Sequence, residues 1–327
     1  MQSLTQIVRF AMIATTLSCV SMAASAESYP DRPIRLIVGF PPGGINDIVA
    51  RIVGQKVSES LGQPVIVENR PGAGGTIGAD AVARAKPDGY TLLLGSVSNL
   101  AMAPSQYKNL PFNPIKDFTP VALVAASPNI LVVPLDSPVQ SVKELITLAK
   151  KNPGSITYAS AGNGTSNHLT VELLKTMTGI DLVHVPYKGD TPGITDLLAG
   201  RVQMMFPTLP VALPHIKAGK LRAIAVSSSK RSVLVPNIPT VAEAGDLPGF
   251  AVSVWVGILA PAGTPNEIVS RLNAEIIKAL GVVSVRERLA QQGTESAGGT
   301  PEEFSAYLVS ETAKWSAVAK TAGITPN

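Results

Sequence analysis

Cysteine is all but missing: Cys19 is the only one in 327 residues, and it lies inside an N-terminal segment that reads as a leader. A chain that loses this leader has no thiol. That excludes thiol catalysis, disulfides and cysteine metal sites, and it lets the protein enter an oxidising compartment unchanged. Histidine is nearly as scarce, with His168, His184 and His215 the full set. None stands at metal-ligand spacing from another, and the carboxylates near them form no cluster, so no metal and no cofactor is expected. No Gly-x-Ser-x-Gly elbow and no paired carboxylates for acid–base work are visible, so no catalytic set is expected either. Pro41-Pro42-Gly43-Gly44 is not followed by Gly-Lys-Ser/Thr, and in Gly72-Ala73-Gly74-Gly75-Thr76-Ile77-Gly78 Ile77 holds the third glycine position of a dinucleotide fingerprint. Adjacent basic residues are limited to Lys150-Lys151 and Lys230-Arg231, with no basic stripe interleaved with aromatics, so nucleic acid is not an expected partner. Internal repeats and low-complexity tracts are absent too.

Residues 1–26 carry no acidic residue and one basic residue, Arg9; an apolar run from Phe10 to Val20 precedes Ala24-Ser25-Ala26. This A-x-A ending marks a cleaved secretory signal peptide whose apolar core is too short to span a membrane, and it points to the periplasm. An uncleaved anchor is the alternative. Thr16-Leu17-Ser18 ahead of Cys19 fits a lipoprotein signal poorly. The formal net charge of +4 drops by one with Arg9, and a mild positive balance favours an anionic small ligand only weakly.

What the chain does have is length for two domains, and a hydrophobic content of 45% with 15% charged residues, which describes an ordinary globular protein. Its 28 glycines and 27 prolines imply short elements joined by tight turns. One device occurs twice. The strand pattern Ile34-Arg35-Leu36-Ile37-Val38-Gly39-Phe40 enters Pro41-Pro42-Gly43-Gly44 and then a helix from near Asn46-Asp47 to 61. Ile156-Thr157-Tyr158-Ala159-Ser160 enters Ala161-Gly162-Asn163-Gly164-Thr165-Ser166 and then a helix from about Asn167. A helix N-terminus offers unpaired N–H groups and partial positive charge, and glycine admits an anion close to the backbone. Two such turns, one in each half of the chain, describe two lobes pinching one small anion.

Strand and helix patterns alternate throughout. Pro64–Glu68 and Thr91–Leu94 complete a βαβαβ unit with a helix through Ala85 between them, which predicts a parallel sheet covered by helices. A second series runs from Ile130-Leu131-Val132-Val133 to Leu221–Val226. Capping boxes are expected at Ser141/Glu144, Thr240/Glu243, Thr264/Glu267 and Thr300/Glu303, with Pro265 and Pro301 at first helical positions. After a strand at Val254–Leu259, two long helices are expected to return to the first lobe. The organisation expected is a signal peptide at 1–26, a first lobe at 27–126 and 253–327, and an inserted second lobe at 127–252, each a mostly parallel sheet flanked by helices.

The candidate ligand-binding set is Pro42, Gly43, Gly44, Ile45, Asp47, Ser96, Ser160, Gly164, Thr165, Ser166, His168 and Pro207. Either loop taken alone reads first as a tight βα turn, and the occurrence of two at equivalent places points to ligand binding. Asp47 would repel an anionic ligand directly, so it is expected to cap the helix or hold the loop from behind. Thr165 and Ser166 are either N-caps or donors to a carboxylate. His168, in the first turn of the second helix, is a ligand contact, the support of one, or simply structural, while His184 and His215 read as structural.

In combination these pieces resemble the Bug-type periplasmic solute receptors, the substrate-binding component of tripartite tricarboxylate transporters. The resemblance rests on Tyr29-Pro30 with Pro33-Ile34-Arg35, on Phe40-Pro41-Pro42-Gly43-Gly44 with Asp47 and Ala50-Arg51, and on Leu61-Gly62-Gln63-Pro64. Val67-Glu68-Asn69-Arg70-Pro71-Gly72-Ala73-Gly74-Gly75, Lys86-Pro87-Asp88-Gly89-Tyr90-Thr91, His184-Val185-Pro186-Tyr187-Lys188-Gly189 and Trp255-Val256-Gly257-Ile258-Leu259-Ala260-Pro261-Ala262-Gly263-Thr264-Pro265 extend it along the chain. It implies a two-lobed, Venus-flytrap α/β fold that closes on a small organic carboxylate. Backbone amides, hydroxyls and water from the loops matching residues 41–47 and 160–168 would hold that carboxylate. It also implies a non-enzymatic, monomeric receptor serving membrane transporter subunits; a sensor feeding a signalling partner and a periplasmic enzyme are the rivals. Two positions depart from the pattern. Pro207 stands where the family often has an acidic residue, and Ile45 is bulky where the glycine-rich loop continues with small or varied residues. Both imply a more apolar pocket.

Overall fold

The structure, a computed structural model, describes residues 29–321 and 323; the expected leader and its cleavage site lie outside them. The body of the chain begins at Arg32. The body carries two sheets of six and five strands.

The first sheet is built on β1 (Ile34–Val38), whose apolar run is buried on both faces because helices cover them. Helix α1 (Ile45–Leu61) follows and turns Val49, Ile52, Val53 and Val57 inward at helical spacing; it stops at Gly62, whose φ of 69° supplies the left-handed cap. β2 (Val65–Asn69), α2 (Thr76–Ala83) and β3 (Thr91–Ser96) complete the expected crossover unit, with β2 and β3 both parallel to β1. Glycines at the end of β1 and inside α2 permit close backbone approach: a Cβ on Gly39 would meet the Gly75 carbonyl oxygen at 2.5 Å, and one on Gly78 would meet Gly39 Cα at 2.8 Å.

Beyond β3 the pairing changes. β4 (Phe118–Pro128) leads out of this sheet, and β5 (Ile130–Pro134) opens the second sheet one residue later. The second sheet adds α3 (Val142–Lys151), β6 (Thr157–Ser160), α4 (Ser166–Thr178), β7 (Val183–Pro186), α5 (Asp190–Leu198), β8 (Met204–Met205), α6 (Leu209–Lys217) and β9 (Leu221–Val226). After the short α7 (Val241–Gly245), β10 (Ser253–Pro261) re-enters the first sheet, followed by α8 (Asn266–Gly281), α9 (Val283–Gln291), β11 (Glu295–Ser296) and α10 (Pro301–Thr321). The strand orders are β11-β4-β10-β3-β1-β2 and β7-β6-β8-β5-β9.

Both sheets are mixed rather than mostly parallel. β10 runs antiparallel to β3 and β4, β11 antiparallel to β4, and β5 antiparallel to β8 and β9. The reason is the out-and-back path: the strand that leaves a sheet and the one that returns to it lie side by side and point oppositely. The two crossing segments are tied together. Asn129 and Ser227 exchange Asn129 N–H to Ser227 Oγ at 2.9 Å and Ser227 N–H to the Asn129 carbonyl at 2.8 Å. Ser227 in turn holds Val252 through N–H to carbonyl at 2.8 Å and Oγ to carbonyl at 2.7 Å.

Three helices, not two, finish the chain, because the expected first one breaks at Val282. The last of them, α10, is anchored by a buried carboxylate: Glu311 accepts from the indole N–H groups of Trp255 at 3.0 Å and Trp315 at 3.1 Å. The capping boxes at Thr240/Glu243 and Thr300/Glu303 form fully. At Ser141 the hydroxyl caps Glu144 N–H, while the Glu144 carboxylate reaches Gln140 N–H instead. Thr264 is no cap. Its hydroxyl donates to the Pro261 carbonyl at 2.8 Å, α8 starts two residues later at Asn266, and Pro265 occupies the cap position.

Candidate functional site

The first glycine loop is exposed across residues 41–44 and held from behind. Gly43, at φ 81°, turns its N–H into the Asp47 carboxylate at 3.0 Å. Asp47 also takes both arms of Arg51, the shorter at 2.8 Å, and Asn69 Nδ2 at 2.9 Å; Asn69 reaches the Phe40 carbonyl as well. The Arg51 guanidinium above all holds the Asp47 carboxyl at about 2, well below the ordinary range. With every oxygen engaged inside the loop, Asp47 faces no ligand; it organises the turn. Gly43 likewise gives its amide to this support. The first helical amide with a partner is Ile48 N–H, on the Gly44 carbonyl at 3.0 Å, so the amides of Ile45, Asn46 and Asp47 have none within the helix.

The second loop is braced differently. Gly164 N–H donates to His168 Nδ1 at 3.1 Å, which places the imidazole proton on Nε2. His168 stacks on His184, with ring centroids 4.1 Å apart, and His184 stacks on Tyr158 at 4.8 Å. The cause is register: Tyr158 and His184 are Cα partners on parallel β6 and β7, and the first turn of α4 lays His168 over them. Burial lowers the pKa of both imidazoles, that of His184 to about 4, so both rings are neutral near pH 7. Tyr158 closes the stack by donating to Glu172 at 2.8 Å, where Lys175 also docks at 2.9 Å.

Thr165 fits neither expected role. It holds the N-cap position without a side-chain cap bond, and its hydroxyl donates to the Gly162 carbonyl at 2.7 Å. Ser166 is buried at the first position of α4, whose earliest internal amide bond is Leu169 N–H to the Thr165 carbonyl. Ser160 is fully buried and bonded to His184 Nε2 at 2.6 Å and to its own loop at Gly162. Ser96 caps the turn at Val97–Met102, exchanging bonds with Asn99. These two serines shape loops from within.

Two residues that sequence reasoning missed bear on the site. Gln106 Nε2 donates to the Gly164 carbonyl at 2.7 Å, joining the second loop to the segment that follows β3. Asp190, at the start of α5, accepts from Thr208 N–H at 3.2 Å and Thr208 Oγ1 at 2.8 Å, and its other oxygen is buried without a partner among the described residues. Burial raises its pKa. A carboxylate therefore stands beside Pro207, held by Thr208. Its position directly after Lys188-Gly189 was the available signal.

Between the sheets lies a cavity of about 210 Å³. Ile45, Asn46 and Val49 of α1 line one side, Ala125, Ser127, Val254, Val256 and Thr294 the floor, and Thr208, Pro210 and Val211 of α6 the other side. Of the candidate residues Ile45 is in its wall, and Pro207 adjoins Thr208. Asn46, 7% exposed, is a wall residue that the sequence did not single out.

This two-lobed arrangement is that of the periplasmic binding proteins. The model of the tripartite tricarboxylate transporter family receptor matches residues 49–324, and the chain belongs to that family. It is similar to Protein BugT of Bordetella pertussis, with 40% identity over 316 residues, 96% of this chain and 97% of that one. Among solved structures, a protein of R. palustris with adipate is 40% identical at a TM-score of 0.77, covering 91% of this chain and 100% of the other. MatC from Rhodopseudomonas palustris with bound malate is 35% identical at a TM-score of 0.72, covering 89% and 99%.

Proposed function

We propose that this protein is a non-enzymatic periplasmic receptor that closes on a small organic carboxylate and delivers it to a membrane transporter. The observation that carries the reading is the pair of βα turns on different sheets. Each opens on a helix whose first-turn amides have no partner within the helix, and each is stiffened from behind by side chains. A carboxylate held by several N–H groups stays ionised without a paired cation. The support on each side suits an anion: Asp47 and Arg51 neutralise one another, and the His168–His184 stack is uncharged near pH 7.

We divide the lobes near residues 126 and 252, with the bonded Asn129, Ser227 and Val252 as the hinge. Export by the expected leader agrees with a body in which, among the described residues, no helix is long and apolar enough to cross a membrane. The Ser160–His184 pair has the composition of a nucleophile and base, but Ser160 is fully buried and its hydroxyl is bonded within its own loop. That speaks against the enzyme reading.

The test is a thermal-shift and calorimetric screen of the mature chain against acetate, malate, adipate and longer monocarboxylates. A ligand at 100 times its dissociation constant should add about 2.7 kcal/mol of stability. If no carboxylate stabilises the protein, the receptor reading fails.

A further inference from the structure

We propose that the carboxylate this receptor takes has an uncharged, apolar body: a monocarboxylate with a six-carbon chain or a single ring, whose hydrocarbon part fills the cavity beside α1. The inference rests on the receptor reading and names its ligand class.

Three observations carry it. The first is placement. The cavity begins at Ile45 and Asn46, the residues whose amides form the open first turn of α1, so a carboxylate on that turn has the cavity as the space for its substituent. The second is size. A cavity of about 150 Å³ with hydrocarbon walls takes one benzene molecule, and this one measures about 210 Å³.

The third is the chemistry of the walls. Ile45, Val49, Val211, Val254 and Val256 present hydrocarbon, and the lining holds no Arg, Lys or His. Its hydroxyls are engaged elsewhere. Ser127 donates to the Gly293 carbonyl at 2.9 Å, Thr294 to the Leu289 carbonyl at 2.9 Å, and Thr208 to Asp190 at 2.8 Å. A second carboxylate pushed into this space would lose its water and meet no cation and no free hydroxyl, only the neutral carboxamide of Asn46 and the carboxylate of Asp190 behind Thr208. Burying an unpaired charge in such surroundings is strongly unfavourable. Ile45, one of the two departures from the family pattern, adds hydrocarbon to this lining.

The experiment is calorimetry on the mature chain with acetate, butanoate, hexanoate, octanoate, benzoate and adipate. Each methylene buried should strengthen binding about fourfold, so affinity should climb from acetate to hexanoate and stop climbing by octanoate, where the cavity is full. Hexanoate should outbind adipate, its six-carbon dicarboxylate counterpart, by at least tenfold. In Val211→Phe, which fills the space, the preference for hexanoate over acetate should fall at least tenfold. If that variant does not fold, the wild-type series decides alone. Adipate binding as tightly as hexanoate, or a series flat in chain length, overturns the apolar-body inference while leaving the receptor reading intact. Binding of malate but of none of these acids likewise overturns the inference alone, and binding of none, malate included, overturns both.

Discussion

Replacing Asp47 by Asn keeps the side chain's shape and removes its charge, which isolates the device behind the first loop. The wild-type residue is 3% exposed, and its carboxyl sits at about 2 against an ordinary 3.8, with the Arg51 hydrogen bonds the leading cause. A pKa unit corresponds to about 1.4 kcal/mol. With a discount for the screening of Arg51, whose side chain is half exposed, the ionised group contributes about 2 kcal/mol. A folded-state pKa below the unfolded one means that this contribution is complete above about pH 4 and disappears as pH falls through 2. Urea melts of wild type and Asp47→Asn should therefore differ by about 2 kcal/mol at pH 7 and by about half that at pH 3. Affinity for the cognate carboxylate should fall too, because Gly43 N–H loses an ionised acceptor and the loop its stiffness. Equal stability at pH 7, or a difference that does not shrink in acid, would refute the account of Asp47 as the loop's charged support.

The Gln106–Gly164 bond predicts that Gln106→Ala loosens the ligand-free protein: a hydrogen bond worth about 1 kcal/mol shifts an open–closed balance about fivefold, and X-ray scattering should report a larger radius of gyration without ligand. Glu311→Leu leaves the buried indole N–H groups of Trp255 and Trp315 without their acceptor, so it should cost about 2 to 6 kcal/mol at one to three per donor, read as a lower urea midpoint. His184 is held neutral by burial with its pKa at about 4, so the unfolded chain binds its proton first. Stability should then decline as pH falls from 6.5 towards 4, and His184→Gln should flatten that decline in urea midpoints measured across the range.

Much of the local structure was legible because it has local causes. β9 runs from Leu221 to Val226, as its apolar run between turn residues predicts, and β1 enters α1 through Pro41-Pro42-Gly43-Gly44 where the periodicity changes. Thr240 and Thr300 cap as expected, since a capping box needs only residues three apart. Thr264 has the same pattern and fails, because the Pro261 carbonyl captures its hydroxyl first. The strand directions failed for a non-local reason. Nothing within β4 or β10 records that one leaves the sheet and the other returns to lie beside it.

The sequence by itself determined that two glycine turns open onto two helix N-termini, because glycine, proline and apolar period act over a few residues. Which atoms stand behind those turns was a tertiary decision. His168 and His184, sixteen residues apart in the chain, touch because β6 and β7 pair in parallel register under α4. Asp190 supplies a carboxylate beside Pro207 because the start of α5 lies against the turn into α6. The apolar cavity exists because walls from α1, β4, β10 and α6, separated by up to two hundred residues, converge on one space. A sequence pattern records each wall's hydrophobicity, and only packing decides what those walls enclose.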